Sequence, residues 1–226
     1  MKFKFLLGLT AVLAALSSVP ALAEVRITEV APWSSGNSPI GADWFELTNT
    51  GASAVSLSGW KMDDDSNSFS KAVSLNGITS IAAGESVIFI ESDSSSVNTA
   101  FLSNWFSTTA PGLQIGDYEG SGVGLSTGGD QVNIFNASGV KQAGVSFGAS
   151  PSGPVFATFD NAAGLNNAAL SQFSVAGTNG AFAAAGDLAE VGSPGFITAA
   201  VPEPETYALM LAGLGLVGAI ARKRQR

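Results

Sequence analysis

Trp44-Phe45-Glu46-Leu47-Thr48, closed by Asn49-Thr50-Gly51, reads as one half-buried strand and the turn that ends it. Apolar and polar residues alternate, which places them on opposite faces of an extended chain. Runs of the same kind lie on both sides. Val25-Arg26-Ile27-Thr28-Glu29-Val30 precedes it, and Ala54 to Trp60 follows, with Val55 and Leu57 on one face and Ser56 and Ser58 on the other. Ser86-Val87-Ile88-Phe89-Ile90 is more continuously apolar, the pattern of a central strand buried on both faces. Gln131 to Phe135 and Ala143 to Phe147 flank the turn former Asn136-Ala137-Ser138-Gly139, which predicts a hairpin. Short strands separated by Gly, Asn and Ser turns predict an all-β sandwich.

Two stretches break the pattern. Ser92 to Gly124 is long for one loop, and Ala100 to Phe106 within it predicts a short helix that packs aromatic rings on the sheet. Phe156 to Gly195, rich in Ala, Asn and Gly, has weak periodicity and predicts edge strands that pair loosely.

The strand run resembles the lamin-tail domain, an immunoglobulin-like β-sandwich. The resemblance is carried by Ile27-Thr28-Glu29-Val30, by Asp43-Trp44-Phe45-Glu46-Leu47-Thr48-Asn49 and by Leu57-Ser58-Gly59-Trp60-Lys61-Met62-Asp63. Ile81-Ala82-Ala83-Gly84-Glu85-Ser86, Leu125 to Val132 and the closing Gly192-Ser193-Pro194-Gly195 continue it in order. It implies one sandwich over residues 24–198, with Trp44 and Trp60 in the core and Gly59 at a close backbone approach.

Both ends carry addresses. Lys2 and Lys4, the apolar Leu6 to Val19, and Ala21-Leu22-Ala23 before Glu24 have the layout of a signal peptide. Residues 1–23 are thus expected to be a signal helix cut between Ala23 and Glu24, implying the Sec translocon and signal peptidase as partners. Residues 199–226 read Val201-Pro202-Glu203-Pro204, then the apolar run 207–221, then Arg222-Lys223-Arg224-Gln225-Arg226. The run holds 15 residues, against roughly 20 for a helix that spans a bilayer core. Its basic end predicts a C-terminal hydrophobic helix with that end on the cytoplasmic side. This layout resembles the PEP-CTERM sorting signal. The resemblance implies recognition by an exosortase, a membrane transpeptidase-like enzyme of Gram-negative bacteria that make exopolysaccharide. The expected itinerary is export, an inner-membrane intermediate, and then the cell surface or biofilm matrix.

Composition narrows the chemistry. From Glu24 to Ala200 sixteen acidic residues face four basic ones (Arg26, Lys61, Lys71, Lys141), a balance of −12. That opposes the phosphate neutralisation on which nucleic-acid binding depends. The chain has no cysteine and no histidine. A disulfide, a Ser-His-Asp triad, a Cys-His dyad and an ordinary zinc site are therefore excluded. Gly124-Leu125-Ser126-Thr127-Gly128 matches the string of a hydrolase nucleophile elbow, but that motif needs a histidine base. Gly120, Gly122 and Gly124 have the spacing of a phosphate loop without the Lys or the following helix.

Asp63, Asp65 and Asn67 alternate like the first ligands of a calcium loop. Ser68 and Ser74 replace the glycine and glutamate of an EF-hand, so any calcium site there must be looser, completed by Glu46, Asp93 or Asp117. The competing reading is a solvated acidic turn. Asp117 and Glu119 could be drawn as a glycosidase pair, although nothing marks a sugar cleft around them. Trp33 and Trp105, if exposed, would offer stacking faces to polysaccharide. The other reading packs Trp105 in the core and leaves Trp33 in a disordered stretch. Taken together, the sequence predicts a non-catalytic surface or matrix protein with no cofactor beyond a calcium ion at Asp63, Asp65 and Asn67. The alternative is an exported carboxylate-dependent hydrolase acting on polysaccharide or phosphoester.

Overall fold

A computed structural model describes residues 24–92, 94–106, 112–161, 169–196 and 213–214. The signal segment 1–23, with Ala21 and Ala23, and the sorting residues Val201, Pro202, Glu203 and Pro204 lie outside the described residues. So does nearly all of the apolar run 207–221. Among the described residues no helix is long and apolar enough to cross a membrane.

The elements in chain order are β1 (Val25–Ala31), α1 (Ser34–Asn37), β2 (Trp44–Asn49), β3 (Val55–Ser56), β4 (Lys61–Asp63), β5 (Val73–Ser74), β6 (Ser80–Ile81) and β7 (Ser86–Glu91). They continue as α2 (Ser95–Phe106), β8 (Gln114–Tyr118), β9 (Asp130–Phe135), β10 (Lys141–Phe147), β11 (Phe156–Ala157), β12 (Phe159–Asp160), β13 (Ala169–Leu170), β14 (Phe182–Ala183) and β15 (Glu190–Gly192). Two five-stranded sheets dominate, in the orders β12-β1-β2-β7-β8 and β13-β10-β9-β4-β5. Alternate residues of both sheets fill one core: Ile27, Phe45, Leu47, Val87 and Phe89 from the first, Met62, Val132, Ile134 and Val145 from the second. The all-β reading of the sequence holds.

The first sheet is buried on its other face too. Trp44, Ile88 and Ile90 point away from the shared core into a second cluster with Trp33, Phe101 and Trp105. Helix α2 supplies Phe101 and Trp105, whose rings lie 5.3 and 5.7 Å from Trp44, edge-on to it. The aromatic helix expected over 100–106 is there, one turn longer at its start.

Three expectations are corrected. Ala54 to Trp60 is not one strand: only Val55–Ser56 pairs, and Leu57 to Trp60 form a turn closed by the Trp60 amide donating to the Leu57 carbonyl at 3.0 Å. Gly59 in that turn has φ +75°, and a Cβ there would lie 3.0 Å from that of Ala137. Ser92 to Gly124, long for one loop, is not a single loop. It carries α2 and β8 as the crossover that a parallel pair demands, because β8 runs parallel to β7. Of the readings kept for Trp33 and Trp105, exposure fails for both, disorder fails for Trp33 and core packing holds for Trp105: they are 0% and 1% accessible, and the Trp33 indole donates to the Ala157 carbonyl at 3.0 Å.

Candidate functional site

The acidic turn after β4 is built from its own hydrogen bonds. Asp63 ends the strand opposite Asn133 of β9 and is fully buried. Its Oδ2 accepts from the Ser66 hydroxyl at 2.8 Å and the Ser68 amide at 2.6 Å. Asp64 Oδ1 accepts from the Ser66 amide at 3.2 Å, and the Asp64 carbonyl accepts from Asn133 Nδ2 at 2.6 Å. Asn67 sits in the left-handed region at φ 46°, which an asparagine tolerates in a turn. Asp63 therefore faces inward, while Asp65 and Asn67 face solvent. Burial and the neighbouring charges of Asp63, Asp130 and Asp65 raise the Asp64 carboxyl above its ordinary range. The partners imagined from elsewhere are committed: both Glu46 oxygens are bonded within the first sheet's outer face, and Asp117 Oδ1 accepts from Asn76 at 3.2 Å. Asp93 lies outside the described residues. Among the described residues no group of three or more Asp or Glu side chains is arranged to hold a metal ion.

The glycine loop has a different occupant from a phosphate. A Cβ at Gly120 would overlap the Glu91 carboxylate, and one at Gly124 would stand 3.3 Å from Glu91 Oε1. The loop wraps an anion that the chain itself supplies, and burial raises that carboxyl. Gly124 to Gly128 form turns between β8 and β9, without the strand-turn-helix of a nucleophile elbow. Asp117 lies in β8, bridged to Asn76, and Glu119 is exposed beyond the strand end.

The residues that sequence reasoning missed are three buried glutamates under the chain's C-terminal part. Glu29 and Glu46 are register partners on β1 and β2, 0% and 1% accessible. Glu29 Oε1 accepts from the Thr158 hydroxyl at 2.5 Å and the Ser193 amide at 2.7 Å. Glu46 Oε1 accepts from the Thr28 hydroxyl at 2.5 Å, and Oε2 from the Gly195 amide at 2.6 Å. A run of hydroxyls continues from Thr28 to Thr48 at 2.8 Å and from Thr48 to Ser86 at 2.6 Å. Gly192 is required by this arrangement, since a Cβ there would lie 2.6 Å from Glu29 Oε1 and 2.8 Å from the Trp105 ring. Glu190, also fully buried, accepts from Asn104 of α2 at 2.9 Å.

Burial without a facing cation favours the neutral carboxyl. Desolvation, then the Glu46 charge, pushes Glu29 well above the usual carboxylate range. Desolvation raises Glu46 to about 7 against the hydrogen bonds of Thr28, Gly195 and Ser86, and raises Glu190 to about 7 as well. A signal for this was present in the sequence. Trp44, Glu46 and Thr48 share one strand face, and a large aromatic on a supposedly wet face argues that something covers it.

Against known proteins, a family model described as Lamin Tail Domain matches residues 18–149, more than half of the chain. The chain belongs to that family. A second model, the PEP-CTERM protein-sorting motif, matches residues 200–225. The chain thus joins a lamin-tail β-domain to an exosortase-directed sorting signal, and that signal marks it as exported and sorted to the surface in a Gram-negative bacterium. No curated protein matches it. The lamin-tail match stops before β11. The segment that closes over Glu29, Glu46 and Glu190, including Gly192-Ser193-Pro194-Gly195, lies beyond it.

Proposed function

We propose that this is a non-catalytic protein of the cell surface or exopolysaccharide matrix, whose sandwich binds or supports and whose tail delivers it there. The observation that carries the reading is the sorting motif at residues 200–225 fused to a lamin-tail domain. The chemistry of the domain fits. Its most perturbed acids, Glu29, Glu46 and Glu190, are buried and bonded to the chain's own hydroxyls and amides. General acid-base work needs such a group within reach of a substrate. The acidic balance of the domain also suits a hydrated, cation-rich matrix better than a polyanionic partner.

In this reading the Sec translocon and signal peptidase act first, and the 207–221 segment then holds an inner-membrane intermediate. The exosortase follows, cutting near Val201-Pro202-Glu203-Pro204, and matrix polysaccharide is the partner at the destination. The test is the intact mass of the chain recovered from its host, by cell fraction. A species that begins at Glu24 and ends between Pro202 and Glu205, outside the inner membrane, is the expected result. A species that keeps Arg226 in the inner membrane would overturn sorting and make the domain a tail-anchored one.

A further inference from the structure

Strand β15 and the turn after it are held to the first sheet by carboxyl groups. The Ser193 amide donates to Glu29 at 2.7 Å, the Ser193 hydroxyl to the same carboxyl at 3.4 Å, and the Gly195 amide to Glu46 at 2.6 Å. The apolar contribution here is small: Val191 belongs to a minor cluster with Ala157 and Ala181, and Phe196 is 40% exposed. β15 pairs with β11 and β14 over two residues each. The two glutamates on which this closure rests face each other across β1 and β2, beneath it.

The hydrogen bonds to the pair from the described residues come from hydroxyls and backbone amides. Asp160 on β12 adds a third carboxylate whose charge acts on both. Arg26 on β1 is ion-paired with Glu24. Glu190 on β15 is engaged with Asn104, Asp187 precedes it on the same segment, and α2 carries no charged residue. Two ionised carboxylates in register, with a third nearby, repel in a medium that screens them poorly. Opening the roof to water relieves that repulsion. Unfolding the sandwich is not required, because the core between the sheets touches neither group.

We propose that Glu29 and Glu46 form a proton-held latch that clasps Glu190 to Phe196 onto the first sheet and lets this segment go as pH rises. Resting on the sorting reading above, the latch sets how far the sorting motif stands from the domain. Four residues separate Phe196 from Val201. With the latch closed, Val201 reaches at most roughly 17 Å from Phe196; freed back to Glu190, the same motif reaches roughly 40 Å from the sheet. A membrane enzyme that must thread the segment would meet a short tether in acid and a long one at neutral pH.

The test is hydrogen exchange on the full chain in detergent, corrected for intrinsic rates, from pH 5 to 8.5. The opened pair titrates like ordinary carboxyls, whereas in the closed form Glu46 is raised to about 7 and Glu29 well above its ordinary range. Protection of residues 190–196 is therefore expected to fall about tenfold per pH unit between 5 and 7 through Glu46, whose share levels off above, with Glu29 adding to the fall. Protection of β7, which exchanges only on global unfolding, should fall by the same factor yet stay well above that of residues 190–196 at every pH. Glu46→Gln should remove that group's share of the slope, and Glu29→Gln serves if the first variant does not fold. Flat protection at residues 190–196, or protection there equal to that of β7 at every pH, would overturn the latch. Since no exosortase is present, the latch stands or falls separately from sorting, which the mass of the host-derived chain decides.

Discussion

The turn Asp63 to Ser68 and the Glu29–Glu46 pair hold the same functional group in opposite settings. In the turn, one buried aspartate organises a loop whose other acids, Asp65 among them, stand in water. In the pair, both carboxyls are buried and, among the described residues, accept from hydroxyls and backbone amides, Ser193 and Gly195 of the C-terminal segment included. Clustered charges in a sequence therefore mark where water is, since unpaired ions are cheap only there. Acids spaced singly along strands, with an aromatic on the same face, mark where the fold has placed costly groups. The two regions should respond differently to mutation, to pH and to calcium.

The largest expected effect comes from removing the roof. Trp105 packs against Trp44, Phe101 and Phe182 and closes over Gly192. Trp105→Ala should lower stability by about 4 kcal/mol, read by urea denaturation. If it costs less than 1 kcal/mol, the covered face contributes little and the contrast between the regions collapses. Next is pH. A group whose folded pKa is raised binds its proton more tightly in the folded chain, so the stability it contributes is full below the unfolded value and lost as pH rises to the folded one. For Glu46 the window runs from the ordinary 4.5 to about 7. Stability should fall by about 3 kcal/mol across it and stay level above, as far as this group is concerned. Denaturation midpoints at pH 5 and pH 8 measure this, and Glu46→Gln should shrink the difference. A domain equally stable at both values would show that the pair does not titrate there.

How much of this was legible depends on how local the cause is. β1, β2, β7 and the β9–β10 hairpin follow from alternation and turn residues within a few positions, and all appear where expected. β8 was hidden because Gln114-Ile115-Gly116-Asp117-Tyr118 pairs in parallel with a strand reached only through α2. A parallel partner leaves no short hairpin turn to read. Glu29 and Glu46 were quoted as part of the family pattern, yet their burial was not foreseen. Their covering segment arrives more than 140 residues later in the chain, and Ser193 is 164 positions from Glu29. The indole of Trp33 meets the carbonyl of Ala157 across a separation of 124. Contacts of that range leave no periodic trace in either segment.

The smaller effects lie in the acidic turn. Asp63→Ala should cost about 1–2 kcal/mol, since it leaves the Ser66 hydroxyl and the Ser68 amide without their acceptor. Asp65→Ala should change stability by no more than about 0.5 kcal/mol, as for other exposed positions. Calcium distinguishes the turn as a hydrogen-bonded cap from the turn as a weak hard-cation site. A site whose ligands are Asp63, Asp65 and Asn67 must draw on a carboxylate whose Oδ2 already holds two donors and whose Oδ1 is buried. Bound calcium would stabilise the folded chain in proportion to the logarithm of its concentration. The cap therefore predicts that millimolar calcium, the range of weak extracellular sites, leaves the thermal midpoint of the unmodified chain and of Asp65→Ala alike. A midpoint that climbs with calcium in the unmodified chain and stays fixed in Asp65→Ala would instead make the exposed acids ligands, and would give the turn the charge-driven chemistry that the glutamate pair buries.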